Sequence, residues 1–173
     1  MKGELRLRWD RLRAPPAGLR GRELARWRQQ RGYELEQLVL LLAELEGLAP
    51  QPSYRGPGEQ IDGAFVVEHR AVLFEARWQD QKATAADIFA FQGKLRGKLV
   101  GTLGLFVSIA GFAKDAPKAI IWGKEINVLL ADESDVELAL SAPHSLRDVV
   151  AVKMRYAAHL GEVYWPFKRW LDQ

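Results

Sequence analysis

Three charged residues on two neighbouring apolar runs form the part of this sequence best suited to chemistry. Asp62 stands in the run at residues 60–67, and Glu75 and Arg77 stand in the run at residues 71–78. The short polar segment between the runs predicts a turn, so the runs would pair as a hairpin with the two acids side by side. Because side chains alternate along a strand, Arg77 would share a face with Glu75. Such a group could bind a divalent cation and a phosphate.

Phosphodiester cleavage needs a metal ion held by carboxylates, because the ion neutralises developing charge and lowers the pKa of an attacking water. The backbone carbonyl of Ala76 would add a third oxygen, and oxygen-only ligation favours Mg²⁺ or Mn²⁺. Taken alone the pattern is weak, since two acids on a hairpin are more often solvated or in salt bridges. The apolar neighbours of Asp62 and Glu75 strengthen it, because a carboxylate in an apolar strand is costly unless it is paired or metal-bound.

Other candidate residues lie on the helices predicted on either side of the hairpin. Glu36, on the preceding leucine-rich helix, is a third candidate metal ligand, and a plain surface glutamate is the equal alternative. On the following helix, Gln92 could hold the attacking water or a phosphate, while Lys94 and Lys98 could contact a DNA backbone. An ordinary polar helix face is the alternative for this group, and it is the preferred interpretation for Lys98.

Hydrophobic periodicity predicts the elements that would position these residues. Helical spacing of leucines at residues 33–45 predicts a helix that ends at Gly47, and the apolar run at 105–109 predicts a strand buried on both faces. The other predicted elements are an edge strand at 5–7, a helix at 22–31 closed by Gly32, a loop with one short strand at 50–58, a helix from Thr84 to about Val100, a helix at 114–120, a strand at 127–130, and helices at 134–140 and 145–160. This order predicts an α/β fold with a mixed β-sheet flanked by helices.

Length and composition fit an ordinary globular protein. The chain has 173 residues, of which 48% are hydrophobic and 27% are charged, enough for one domain with a core. The absence of cysteine excludes disulfides, thiolate metal sites and a cysteine nucleophile. No apolar run approaches the roughly 18 residues of a membrane span. The arginine-rich N-terminus lacks the apolar core of a secretion signal, so no signal peptide is evident.

Charge is distributed unevenly along the chain. Residues 1–31 carry ten basic and three acidic side chains, whereas the remainder carries 15 basic and 19 acidic ones. A basic segment on an acidic body suggests contact with a polyanion such as DNA; the equal alternative is a solvated lead-in that packs Trp9 and Trp27 on the body. We therefore divide the chain into a basic N-terminal arm, 1–30, and one domain, 31–173. The candidate DNA contacts in the arm are Arg22, Arg26 and Arg28.

The order of five segments resembles the Mrr-like restriction endonuclease family of PD-(D/E)xK nucleases. The segments are RGYELEQLV (31–39), GEQIDGAF (58–65), FEARW (74–78), DIFAFQGK (87–94) and GLFVSIAGF (104–112), so the resemblance spans about residues 31–135. It implies a restriction-endonuclease-like core and Mg²⁺- or Mn²⁺-dependent DNA cleavage, in defence or DNA processing. In that family the first helix carries a glutamate, the second strand an aspartate, the third an E-x-K, and the next helix often a glutamine or lysine. The corresponding positions here are Glu36, Asp62, Glu75, Arg77 and Gln92.

Arg77 departs from the family pattern, which has lysine at this position. An arginine stays protonated, so it can stabilise a phosphate transition state but cannot act as a base. Three outcomes are open. Cleavage works with arginine, another lysine (Lys94 first, Lys82 second) has taken over, or the site binds DNA and metal without cutting. Retained but slow cleavage is the favoured one.

Three rival functions come from other classes. The first is a non-catalytic, nuclease-fold DNA-binding subunit of a larger complex, which Arg77 and the basic arm favour. The second is a small-molecule α/β enzyme, which lacks support because residues 101–104 precede a strand and form no phosphate-binding loop. The third is a protein-interaction module based on the aromatic tail at 164–170, for which covering the core is the default interpretation. A homodimer is compatible with the sequence, because one active site cuts one strand.

Overall fold

A mixed sheet forms the centre of the protein in a computed structural model that describes residues 1–56, 59–121 and 125–172. The described strands are β1 (Tyr54–Gly56), β2 (Glu59–Ile61), β3 (Gly63–Val67), β4 (Arg70–Arg77), β5 (Leu103–Ser108) and β6 (Val128–Ala131). The central sheet has the order β3-β4-β5-β6, in which β3 is antiparallel to β4 and the other pairs are parallel. β1, in the predicted loop at 50–58, pairs with β2 as a separate antiparallel ribbon. Pro57 and Gly58, also in that predicted loop, lie outside the described residues.

Helices cover both faces of this sheet, which confirms the predicted α/β class. One face carries the apolar side chains of Ile88, Phe91 and Phe106, and the other packs residues such as Leu38 and Val150 against Phe74. The described helices are α1 (Lys2–Leu12), α2 (Gly21–Leu45), α3 (Ala85–Leu95), α4 (Ala116–Ile121), α5 (Glu133–Ala139), α6 (Leu146–Leu160) and α7 (Phe167–Leu171). Across the described ranges, no helix combines the length and apolar character that a membrane crossing requires.

The hairpin that carries the candidate acids is present, but its first strand is interrupted. β3 and β4 pair from Gly63 opposite Phe74 to Val67 opposite Arg70, and the two turn residues Glu68 and His69 have φ of 48° and 62°. Asp62 separates β2 from β3. A Cβ atom on Gly63 would lie 2.5 Å from the Phe74 ring, so glycine is needed for the close approach of the strand beside Asp62.

The N-terminal segment differs from the prediction. Residues 5–7 belong to helix α1, so the predicted edge strand is wrong. Leu5 and Trp9 are four positions apart and therefore share a helix face, and that face packs on the core, where Trp9 is fully buried. The rings of Trp9 and Trp78 are 4.8 Å apart, so burial of Trp9 fixes α1 to the body.

Two predicted helix boundaries are also wrong. α2 runs without interruption through Gly32; a mid-helix glycine costs only about 1 kcal/mol, which the buried face of α2 around Leu35 and Leu38 offsets. The division proposed at residue 30 therefore falls inside α2. α3 ends at Leu95 rather than near Val100, because the following residues form two tight turns, with Gly101 at φ +89°.

The C-terminal aromatic segment covers the core, as expected, and a buried ion pair holds it there. Trp165 and Phe167 are buried, and the Lys153 ammonium lies 2.7 Å from the Asp135 carboxylate and donates to the Trp165 carbonyl at 2.8 Å. The same carboxylate accepts from the Phe167 N–H at 2.8 Å. Burial raises the pKa of Asp135, although the adjacent ammonium opposes the shift. The network thus joins α5, α6 and the tail.

Replacing Lys153 by methionine is expected to lower the free energy of unfolding by about 3–5 kcal/mol, because Asp135 would keep its buried carboxyl without a cation. Chemical denaturation of the full chain measures the change. Lys168→Met, at an exposed position of α7, is the control and should change the value by less than about 0.5 kcal/mol. A loss below about 1 kcal/mol in Lys153→Met would show that the pair contributes little to the tail's attachment.

Candidate active site

Asp62 lies at the junction of β2 and β3 and points its carboxylate across to β4. Its Oδ2 accepts from the backbone N–H of Ala76 at 3.0 Å, and its Oδ1 lies 3.5 Å from the Gln60 amide nitrogen. The residue is only 8% exposed. Burial raises the pKa of Asp62, the Ala76 N–H opposes this, and the charge of Glu75 adds to it. The strand break therefore places a poorly solvated carboxylate beside the end of β4.

Glu75 lies on β4, is 7% exposed, and has cations at both of its oxygens. Arg77 donates to Oε1 from Nε at 3.0 Å and from Nη2 at 2.7 Å. Lys94 donates to Oε2 from Nζ at 2.6 Å. The hairpin thus brings Asp62 and Glu75 together as the sequence predicts, and α3 adds a lysine that comes from outside the hairpin.

Lys94 is held at this position by two contacts. Besides Glu75, its ammonium donates to the backbone carbonyl of Gln60 at 2.9 Å. Its charge opposes the upward shift that burial causes in the pKa of Asp62. The lysine lies in the last turn of α3, so the docking of that helix on the sheet decides whether the ammonium reaches the acids. Lys82, the second candidate replacement lysine, is exposed and borders a cavity beside Gly111 and Asp132 instead.

Arg77 links β4 to the first turn of α3. Its Nη1 donates to Asp87 at 2.5 Å while the other guanidinium nitrogens contact Glu75, and its charged group lies 5.1 Å from the Phe106 ring centroid. Burial lowers the pKa of Arg77, but the hydrogen bonds to Glu75 and Asp87 outweigh it and the net shift is upward. Hydrogen bonds from the side chain and backbone of Thr84 lower the pKa of Asp87 to about 2. Both ends of α3 are therefore fastened to β4.

Glu36, on α2, is close enough to the acids to sense their charge. Burial, followed by the charge of Asp62, raises its pKa to about 7; Glu75 adds to the increase and Arg55 opposes it. Within residues 1–56, 59–121 and 125–172, however, no three histidine, aspartate or glutamate side chains are arranged to hold a metal ion as they stand. Glu36 would have to move to become a ligand.

The raised pKa of Glu36 predicts a pH-dependent cost to stability. Because the folded-state pKa of about 7 exceeds the ordinary value, the native state binds more protons between about pH 4.5 and 7, and stability falls as pH rises through this window. Glu36→Gln should therefore stabilise the protein at pH 8.5 by about 1 kcal/mol after discounting for solvent screening, and have no such effect at pH 4. Glu44→Gln, at an exposed site on α2, is the control. Thermal melts at both pH values measure the effect, and an equal shift at the two would contradict the assignment.

The remaining predicted site residues have contacts other than the acids. The side-chain amide of Gln92 donates to Asn127 at 3.0 Å, at the start of β6 rather than beside Asp62. Lys98 lies in the turns after α3 and is half-buried. On α2, Arg22, Arg26 and Arg28 are exposed, and Arg28 also pairs with Asp80 at 2.7 Å. The hairpin and α3 therefore bring together Asp62, Glu75, Arg77 and Lys94, and not Gln92.

Two residues of this group were not candidates from the sequence. Asp87 is recognisable only as an acid in the first turn of α3, where it forms a capping box with Thr84, and its contact with Arg77 depends on how α3 lies across the sheet. Gln60 contributes its backbone carbonyl. Because every residue type has such a carbonyl, the sequence cannot indicate a contact of this kind. A helix-start acid two turns before a lysine is the only pattern that could have pointed to Asp87 and Lys94 as a pair.

The chain is similar to known proteins in sequence and in structure. Residues 27–138 match the Mrr_cat sequence model, which describes a restriction endonuclease. No curated protein matches the sequence. Among solved structures, protein VC1899 from Vibrio cholerae is similar at 16% sequence identity over 75% of this chain, with a TM-score of 0.49. The MspJI restriction endonuclease in complex with a 27-mer oligonucleotide is similar at 15% sequence identity over 87% of this chain, with a TM-score of 0.45. The chain spans 35% and 40% of the lengths of those two chains.

Proposed function

We propose, from the premise that this chain belongs to the restriction endonuclease family whose model it matches over residues 27–138, that it is a divalent-metal-dependent DNA endonuclease hydrolysing phosphodiester bonds. The observation that carries the proposal is the assembly of two poorly exposed carboxylates, Asp62 and Glu75, with the Lys94 ammonium at one edge of the sheet. A buried acid with a raised pKa, as Asp62 has, beside a specific cation is typical of catalytic sites. Defence or DNA processing in the cytoplasm is the setting we propose.

The acids fit a hard divalent cation in their chemistry. They offer only oxygen atoms, which Mg²⁺ and Mn²⁺ prefer, and the raised pKa of Asp62 and of Glu36 reflects negative charge that burial leaves poorly compensated. We propose that Asp62, Glu75 and the Ala76 carbonyl would hold the ion, with Glu36 as a further ligand after a movement of its side chain. When bound, such an ion supplies charge neutralisation and a lower pKa for water.

Lys94 is the cation that we assign to the attacking water and the scissile phosphate. Its ammonium is a compact donor on a flexible stem, and it already lies at hydrogen-bond distance from Glu75. Arg77, in contrast, has its guanidinium divided between Glu75 and Asp87, so its planar fork orients Glu75 and anchors α3. On this proposal Lys94 does the work that the family assigns to the lysine of E-x-K, and Arg77 positions the two groups that act.

DNA would extend from this site over basic side chains of the neighbouring helices. The exposed arginines of α2, together with Lys94 and Lys98 of the α3 region, are suited to contact phosphate oxygens, which fixes a duplex without reading its sequence. The candidate contacts on α2 are Arg22, Arg26 and Arg28. Because one active site cuts one strand, cleavage of both strands would need a second copy or a second binding event, so a homodimer or a larger assembly remains part of the proposal.

A second candidate is a nuclease-fold DNA-binding subunit that has lost most of its cleavage activity. The observation in its favour is that both Glu75 oxygens are occupied by cations. A metal ion would then have to compete with Arg77 and Lys94 for the carboxylate, which would weaken binding. The two candidates share the fold and the DNA surface, and they differ in whether a metal ion can displace one of these contacts.

A cleavage assay separates the two candidates. The purified chain would be incubated with supercoiled, linear and single-stranded DNA and with RNA, in Mg²⁺, in Mn²⁺ and in chelator. We expect cutting of at least one DNA form in either metal and none in chelator, with restoration when metal is added back. DNA binding without cutting of any form under any metal would contradict the nuclease and leave the DNA-binding subunit.

A further inference from the structure

We propose that Leu99 and Val100 form an apolar wedge that inserts into duplex DNA beside the active site, an inference that rests on the proposed function. These two residues follow α3 and are 84% and 98% exposed. Two adjacent large aliphatic side chains almost wholly in water do not contribute to the core of this fold. A surface of this kind indicates a binding partner, and the observations below favour DNA.

Two hydrogen-bonded turns shape the tip that presents the two side chains. The N–H of Lys98 donates to the Leu95 carbonyl at 3.0 Å, and the N–H of Thr102 donates to the Leu99 carbonyl at 3.0 Å. These bonds close two consecutive turns. Gly101 is the third residue of the second turn and has a φ of +89°, the conformation that a type II turn requires there. Little conformational entropy would be lost when this preformed tip enters a partner.

The charges around the tip match a polyanion. Between Asp87 and Asp115 the sequence contains no acidic residue, whereas Lys94, Arg96 and Lys98 precede the tip directly. A wedge of aliphatic side chains flanked by cations is how proteins that enter the minor groove separate base steps while holding the phosphates on either side. An apolar docking site for a protein without an acidic surface would not need these positive charges.

The position of the tip relative to the acids favours DNA over other polyanions. Leu99 is five positions after Lys94, so their Cα atoms lie within about 18 Å of each other, and the Lys94 ammonium is 2.6 Å from Glu75. One turn of B-DNA is about 34 Å long. A duplex whose phosphate lies at the acids is therefore long enough, within one helical turn, to reach the tip. Insertion there would unstack and bend the DNA next to the scissile bond.

Binding and base unstacking can both be measured with the full chain in chelator, which prevents metal-dependent cutting. The probe is a short duplex carrying 2-aminopurine, which fluoresces more strongly when unstacked, and binding is followed by anisotropy. The test variant is Leu99→Ser/Val100→Ser. The matched control is Leu7→Ser/Leu160→Ser, at aliphatic residues that are 60% and 61% exposed elsewhere.

We expect the wild type and the control to bind the duplex and raise the 2-aminopurine signal. The test variant should lose the signal and bind about tenfold more weakly. Because only phosphate contacts release counterions, that tenfold loss should be similar at low and high salt. A test variant that binds and unstacks like the wild type overturns the wedge and leaves the nuclease untouched.

Two further outcomes also overturn the proposal. If the wild type binds no duplex, the wedge proposal is wrong. Cleavage of single-stranded DNA by the same preparation would then show that the protein is nevertheless a nuclease. If the wild type binds vesicles of phosphatidylcholine and phosphatidylglycerol through Leu99 and Val100 but ignores the duplex, the tip is a membrane contact instead. Circular dichroism and thermal melts of all variants confirm that differences in binding do not come from loss of the fold.

Discussion

Glu75→Gln is expected to reduce metal-dependent DNA cleavage by about a thousandfold or more, because the substitution removes the charge of the acid that both Arg77 and Lys94 contact. The amide would keep the volume of the side chain but would be a poor ligand for Mg²⁺, and loss of the bound ion removes most of the electrostatic stabilisation of a phosphodiester transition state. Single-turnover cleavage of a labelled substrate under saturating metal measures the loss.

Glu68→Gln is the matched control for this substitution, since Glu68 lies at the exposed turn of the same hairpin. It should cleave within about twofold of the wild type. If Glu75→Gln and Glu68→Gln cleaved equally well, Glu75 would have no catalytic role, and its two ion pairs would have to be read as structural.

Lys94→Met is expected to lower the cleavage rate by about a hundredfold to a thousandfold, while the affinity for DNA falls much less. The ammonium contacts Glu75 and the Gln60 carbonyl, and in the proposed function it lies where charge develops during hydrolysis. Removal of one such donor typically costs this much in rate. Separate measurement of the maximal single-turnover rate and of the DNA concentration at half-saturation distinguishes the two effects.

Arg77→Lys provides the contrast. If Arg77 were the catalytic cation in place of the family's lysine, restoring lysine should increase the rate. In the arrangement described here, one lysine ammonium cannot reach Glu75 and Asp87 as the arginine fork does, so α3 loses an anchor and the rate should fall. A faster Arg77→Lys enzyme together with a normal Lys94→Met enzyme would show that the roles of the two cations are the reverse of those proposed.

Much of the fold follows from local sequence patterns. The apolar run of β5, the leucine spacing in α2 and the hairpin turn each depend on residues close together in the chain, so periodicity and turn chemistry are enough to predict them. The error at the N-terminus arises because contacts between residues far apart in the sequence determine the structure there. Trp9 is buried against Trp78, which turns a short basic segment into a docked helix, and nothing local predicts that contact.

The candidate site likewise combines contacts that local sequence predicts with contacts that depend on long-range packing. The proximity of Asp62 and Glu75 can be predicted from the sequence, because the two strands of a hairpin pair in a fixed register. The contacts of Lys94 with Glu75 and of Arg77 with Asp87 join a strand to a helix, and they depend on how α3 is placed on the sheet. From sequence alone Lys94 ranks behind Arg77 as the working cation, because the E-x-K spacing is local and the position of α3 is not. Gln92 depends on the same placement of α3: its side-chain amide donates to Asn127, a contact that no local pattern predicts, and its role at the site stays a prediction.

Binding of Mn²⁺ is the sharpest test of a metal-dependent centre at Asp62 and Glu75, because it does not depend on knowing which DNA is the substrate. Electron paramagnetic resonance of free Mn²⁺ would be recorded during titration of the wild type and of Asp62→Asn/Glu75→Gln, each with and without a duplex. We expect the wild type to remove Mn²⁺ from solution at a site which the double variant lacks, under at least one of the two conditions. Identical titrations of wild type and double variant under both conditions would contradict a metal-dependent centre at Asp62 and Glu75.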